Sequence, residues 1–120
     1  MHHLSVDTER NILFMKLEGL MNEQEVEVFG VELLEKVKLL DKEFVIINDM
    51  EHFRIATAAA AEMLTELHRK MGDYGVGRVI RILGAKAKTT GILQLQRTAK
   101  NSGAYEPIEV ATMEDALSLL

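Results

Sequence analysis

The feature that most restricts what this chain can fold into is the stretch Phe44-Val-Ile-Ile-Asn-Asp-Met-Glu-His-Phe-Arg-Ile-Ala-Thr-Ala-Ala-Ala-Ala-Glu-Met-Leu64. Phe44 to Ile47 are four consecutive apolar residues, aromatic or β-branched and too few for a helix, so they predict a central strand. Asn48 and Asp49 end that run, and a short polar loop is expected before a helix that starts near Thr57. In open α/β sheets the carboxyl ends of the strands are where ligands and partners usually bind. A working surface is therefore expected at this junction.

The remaining elements are legible from spacing. Leu4 to Asp7 predicts an edge strand, and Asn11 to Glu18 a second one, in which Leu13, Met15 and Leu17 alternate with Ile12, Phe14, Lys16 and Glu18. The two are expected to form an antiparallel hairpin, the second strand ending at Gly19. Asn22 followed by Glu25 is a helix start. Val26, Phe29, Leu33, Val37 and Leu40 then fall on one face, opposite a Glu-rich face. Gly30 inside that helix is expected to mark a close approach to the sheet, and Asp41-Lys42 its end. The helix from Thr57 to Met71 buries Ala60, Met63, Leu64, Leu67 and Met71, with Gly72 as a left-handed cap. Val76 to Leu83 reads as a strand, with Arg81, like Lys16, an odd mid-strand charge that a less covered face or a snorkelling side chain would accommodate. A third helix is expected within 85–102, beginning near Thr89. A short edge strand carrying Pro107 follows. The last helix is capped by Thr112 and packs through Met113, Ala116, Leu117 and Leu120. The order β-β-α-β-α-β-α-β-α predicts an α/β fold with a mostly parallel sheet of about five strands, about four helices and right-handed crossovers. The 120 residues are sized for one domain, residues 1–120.

Composition excludes several function classes. The chain has no cysteine, so disulfides and zinc–thiolate sites are not available to it. Met1-His-His-Leu-Ser has no basic region leading into an apolar core, so no secretory signal is expected, and no apolar run has bilayer-spanning length. A cytoplasmic protein with no membrane insertion is the expectation. The formal net charge of −5 is unevenly spread. Residues 1–53 carry 5 Lys/Arg against 12 Asp/Glu, residues 54–104 carry 9 against 3, and residues 105–120 carry none against 4. Such asymmetry is compatible with a self-complementary homodimer or a charged protein partner, or simply with two solvated faces. Spread-out basic residues and few aromatics argue against nucleic acid.

Chemistry-bearing motifs are scarce. No glycine-rich loop has phosphate-binding context. Asp49-x-x-His52, with Glu51 nearby, is the one metal-like pair, and solvated polar groups explain it more simply. His68 is expected on an exposed helix shoulder, and His2 and His3 in a frayed terminus. No hydroxyl has both a histidine and a carboxylate at triad spacing. The expectation is no enzyme, no cofactor and no metal.

Taken together, several segments resemble the STAS family: the anti-sigma-factor antagonists (SpoIIAA-like proteins) and the cytoplasmic domains of sulfate transporters. They are the opening strands ending Leu17-Glu-Gly-Leu20, the strand Phe44-Val-Ile-Ile-Asn-Asp-Met and the entry Phe53-Arg-Ile-Ala-Thr-Ala-Ala. The strand Arg78-Val-Ile-Arg-Ile-Leu and the ending Ala111-Thr-Met-Glu-Asp-Ala-Leu complete the set. The resemblance implies a SpoIIAA-like β-α fold and a docking domain partnered by an anti-sigma-factor-like kinase or another regulator. In that family an Asp-Ser-Ser-Gly motif follows the central strand, and its second Ser is phosphorylated. Laid on this chain, Asp falls on Ala56, the first Ser on Thr57, the phosphorylated Ser on Ala58 and Gly on Ala59. The usual acceptor is missing; Thr57 would serve only with a one-residue slip, and a helix cap is its simpler role. The resemblance makes Asp49, His52, Arg54, Thr57 and Ala58 the partner-facing positions. A different class of reading is a small-ligand domain, with an anion or lipid pocket at the carboxyl ends of the strands contacted by Lys86 and Lys88. A third is an enzyme using Asp49 and His52.

Overall fold

The structure is a computed structural model and describes residues 1–84 and 107–120. Its order is β1 (His2–Asp7), β2 (Ile12–Met21), α1 (Glu23–Val37), β3 (Phe44–Ile55), α2 (Ala58–Asp73), β4 (Val76–Ile82), β5 (Ile108–Val110) and α3 (Met113–Ser118). The strands lie in sequence order in one sheet. The β1–β2 pair is antiparallel and the other three pairs are parallel. This is the mixed, mostly parallel α/β architecture expected from the strand–helix alternation. The helix expected within 85–102, with Lys86 and Lys88, lies outside the described residues.

The two sheet faces divide the core. Leu13 and Leu17 of β2, Phe44, Ile46 and Met50 of β3 and Val79 of β4 pack beneath α1 and α2, with Val26, Phe29, Leu33, Val37, Leu64 and Met71. The alternate residues Ile12, Ile47, Ile80 and Ile82 form a smaller cluster with Ala116 of α3 on the opposite face. A parallel strand buried on both faces needs a near-continuous apolar run, and Phe-Val-Ile-Ile supplies it. Asn11 ties the lower end together: its side chain donates to the carbonyls of Asp41 and Lys42 and accepts from the Asp41 N–H at 2.8 Å.

Several boundaries differ from expectation. The second strand does not stop at Gly19, nor the third at Asn48-Asp49; they continue together, pairing Glu18 with His52, Gly19 with Phe53, Leu20 with Arg54 and Met21 with Ile55. Lys16 to Glu18 spans two residues on β2 while the partners Asp49 to His52 span three on β3, so β3 carries a bulge. The extra residue restores the inward phase, and Met50 and Phe53 are both buried. Helix α1 ends at Val37, before Asp41, and the left-handed glycine after α2 is Gly75 (φ +93°) rather than Gly72. Gly30 accommodates α2 and not the sheet: a Cβ there would meet Leu67 at 3.1 Å. Arg81 is not on an open face but buried beneath the helices, whereas Lys16 is exposed. The terminal helix docks through Ala116 alone among its buried residues; Met113, Leu117 and Leu120 remain exposed. His2 is not frayed: its ring packs edge-on against Phe29 and its Nε2 lies 2.7 Å from Glu32.

Candidate functional site

Parallel strands followed by helices on one face bring both helix N-termini to the same edge of the sheet. At that edge β2 and β3 run out together, and the Ala56 N–H donates to the Met21 carbonyl at 2.9 Å. Asn22 then caps α1 by accepting from the Glu25 N–H. Thr57 caps α2 by accepting from the Ala60 N–H at 3.0 Å. Capping leaves the Thr57 proton available, and it is donated to the Glu23 carboxylate in the first turn of α1. The first turn of α2 holds no acidic residue of its own. Glu23 therefore supplies anionic charge beside two positive helix ends at once.

The five expected partner-facing positions fall into two groups. Thr57 and Ala58 are exposed at the first turn of α2, with Ala59 exposed beside them and Ala60 fully buried. Small side chains here leave the first turn sterically open. Asp49, His52 and Arg54 are strand residues, not loop residues. Through the register they lie beside Lys16, Glu18 and Leu20 of β2, on the sheet face opposite α1 and α2. His52 and Arg54 are exposed and Asp49 is half-buried. This face is a lattice of weakly coupled charges, with His3 to Glu18 at 3.6 Å, Lys16 to Glu18 at 4.0 Å and His52 to Glu51 at 4.0 Å. Exposed pairs at these separations contribute little to stability, so their charges remain available to another molecule. Leu20, largely exposed, adds an apolar contact next to Arg54.

Asp49 and His52 do not assemble a metal centre: no group of three or more His, Cys, Asp or Glu with metal-binding geometry occurs among the described residues. His68 is half-buried rather than on an exposed shoulder. Together with Asn48 and Arg81 it lines a partly open space of about 50 Å³ under α1 and α2. That volume is well below the roughly 300 Å³ at which pockets for organic ligands begin. None of the helices described is long and apolar enough to cross a membrane.

Sequence reasoning missed Glu18, Leu20 and Glu23 as members of this surface. Glu23 carries a local signal, an acidic residue in the first turn of a helix. Its contact with Thr57 is 34 positions away in the chain and follows only from the parallel arrangement of α1 and α2.

No family model and no curated protein matches the chain. Among solved structures it is similar to that of the anti-sigma factor antagonist SpoIIAA in its unphosphorylated form, at 16% identity and a TM-score of 0.62. That likeness covers 99% of this chain and 96% of the other. It is likewise similar to the Bacillus cell fate determinant SpoIIAA in the phosphorylated form, at 15% identity and a TM-score of 0.64, over 99% of this chain and 98% of the other. The chain has the SpoIIAA-like STAS fold.

Proposed function

We propose that the protein is a non-enzymatic STAS-like regulatory domain that works by docking, an antagonist-like protein without the phosphoacceptor serine. The observation that carries this reading is the exposed first turn of α2, where Ala58 and Ala59 stand open next to the charged ends of β2 and β3. An anti-sigma factor antagonist with the same fold has been seen in a phosphorylated form. On the placement that the family resemblance implies, Ala58 takes the acceptor position; both hydrogen-bonding roles of the Thr57 hydroxyl are engaged. Phosphate on Thr57 would bring roughly −1.5 to −2 charges against Glu23. Favourable interaction with the α2 dipole would then be opposed by that neighbouring carboxylate. The reading is a constitutive docking domain whose affinity is set by the Arg54–Ala58 edge.

Two measurements test it. Tagged wild type and the variants Arg54→Glu and Ala58→Trp are used to capture partners from the native source, with mass spectrometric identification. A kinase-like regulator held by wild type and lost from both variants is the expected result; equal retention would remove the edge from the interface. The captured kinase is then incubated with the protein and ATP. No phosphate on Thr57 is expected, and stoichiometric modification there would overturn the constitutive reading.

A further inference from the structure

The outer surface of α1 has no role in the site above, yet its composition is unusual for a solvated helix face. Val28 and Val31 are 61% and 58% exposed in mid-helix. A β-branched residue is a poor helix former and gains nothing there from packing. Val31 is shared by two adjoining hollows. One, of about 260 Å³, runs between α1 and α2 and includes Gly30, Leu34, Met63 and Leu67. The other lies along α1 among Glu27, Val28, Glu32 and Glu35. Gly30 and the half-buried Leu67 keep the first hollow open, since a side chain at 30 would press on Leu67.

The charges bordering the two valines along α1 are all negative, and Lys70 of α2 stands across the interhelical hollow. Helix α1 contains five Glu and one Lys between Glu23 and Val37. Glu25 pairs with the chain's amino terminus and Glu32 with His2. Glu27 and Glu35, which border the valines, have no ion-pair partner among the described residues. An apolar stripe flanked by uncompensated carboxylates beside an interhelical groove is the complement of an amphipathic helix with basic borders. A second copy of the chain would set the same carboxylates against each other, and an anionic lipid surface would be repelled.

We infer that the α1–α2 face is a second docking surface, and that its occupant is a basic amphipathic helix of a partner protein, seated on Val28, Val31, Leu34 and Met63 between Glu27 and Glu35. This surface is separate from the Arg54–Ala58 edge, so either can fail without the other. The probe is a fluorescein-labelled 18-residue Leu/Lys peptide with one apolar face, compared with a peptide of the same composition scrambled to abolish that face. Fluorescence anisotropy should show the amphipathic peptide binding at least tenfold more tightly than the scrambled one. Val28→Ser/Val31→Ser should weaken it tenfold or more with its thermal unfolding midpoint little changed, since both side chains are exposed. Glu27→Gln/Glu35→Gln should reduce the salt dependence, and Glu114→Gln on α3 should leave binding unchanged. Equal affinity for the two peptides, or indifference to the valine substitutions, would overturn the assignment. So would sedimentation showing a dimer that Val31→Ser dissociates, because a second copy would then be the occupant.

Discussion

Thr57 is the residue on which the most depends for its size. Its side chain closes the first turn of α2 and simultaneously holds Glu23 of α1. Thr57→Ala removes both contacts and is expected to cost about 1–2 kcal/mol, as loss of an N-cap does. Thr57→Ser should retain most of that, and urea denaturation of the three proteins checks it. The glycines make a second residue-scale comparison. A Cβ at Gly77 would sit 2.8 Å from the Glu43 carbonyl oxygen, which is backbone and cannot swing away. At Gly30 the obstacle is only the end of the Leu67 side chain, at 3.1 Å, beside an open hollow. Gly77→Ala should therefore destabilise by roughly 1–3 kcal/mol, as overpacking does. Gly30→Ala should lie between neutral and about 1 kcal/mol stabilising, because alanine is the better helix former. Chemical denaturation of both variants distinguishes the two environments.

Among the elements, β3 departs furthest from its sequence pattern. Polar Asn48-Asp49 and Glu51-His52 read as a loop, yet the strand continues to Ile55 because Met50 and Phe53 keep an inward hold across the bulge. Phe53→Ala should cost about 3–5 kcal/mol, the range for a buried aromatic; a loop residue would cost far less. Hydrogen exchange gives an independent check, with slow amides expected in the paired region around Phe53. Helix α2 supplies a pH-dependent contact. Arg69 grips Glu66 at 2.5 Å and Asp73 at 2.8 Å, and its guanidinium holds the Glu66 carboxyl below its ordinary range. A depressed carboxyl pKa stabilises the fold above the unfolded value, about 4.3 for Glu, and that contribution is lost as pH falls through the folded value. Arg69→Ala should raise the Glu66 midpoint toward the ordinary value in an NMR titration. The effect on stability should be small and confined to the acid limb, since the pair is exposed.

At the scale of the whole molecule the described helices cover the sheet unequally. Two long helices lie on one face, while α3, a six-residue helix, lies on the other and contributes one buried side chain, Ala116, to the isoleucine cluster. Ala116 is fully buried against Ile12, Ile47, Ile80 and Ile82. Ala116→Leu should overpack that cluster and cost about 1–3 kcal/mol, measurable as a lowered unfolding midpoint with loss of exchange protection in α3. On the side of β3 facing away from α1 and α2, His52 and Arg54 are exposed and Asp49 is half-buried. The charges proposed to face a partner thus stand on a paired strand rather than on a loop.

Apolar spacing and capping residues were enough to define most element types among the described residues, the α/β class, the caps Asn22, Thr57 and Thr112 and most of the α1 and α2 core, because local periodicity and capping chemistry act within a few residues. The same local signals placed the junction around Thr57. They could not reveal that β2 and β3 extend side by side past Gly19 and Asp49, since that pairing joins residues more than thirty positions apart. Nor could they show Gly30 making room for Leu67, Arg81 lying under the helices, or Glu23 meeting Thr57. Each of these is a contact between distant segments, and such contacts exist only once the parallel crossovers have stacked the helices on one face of the sheet.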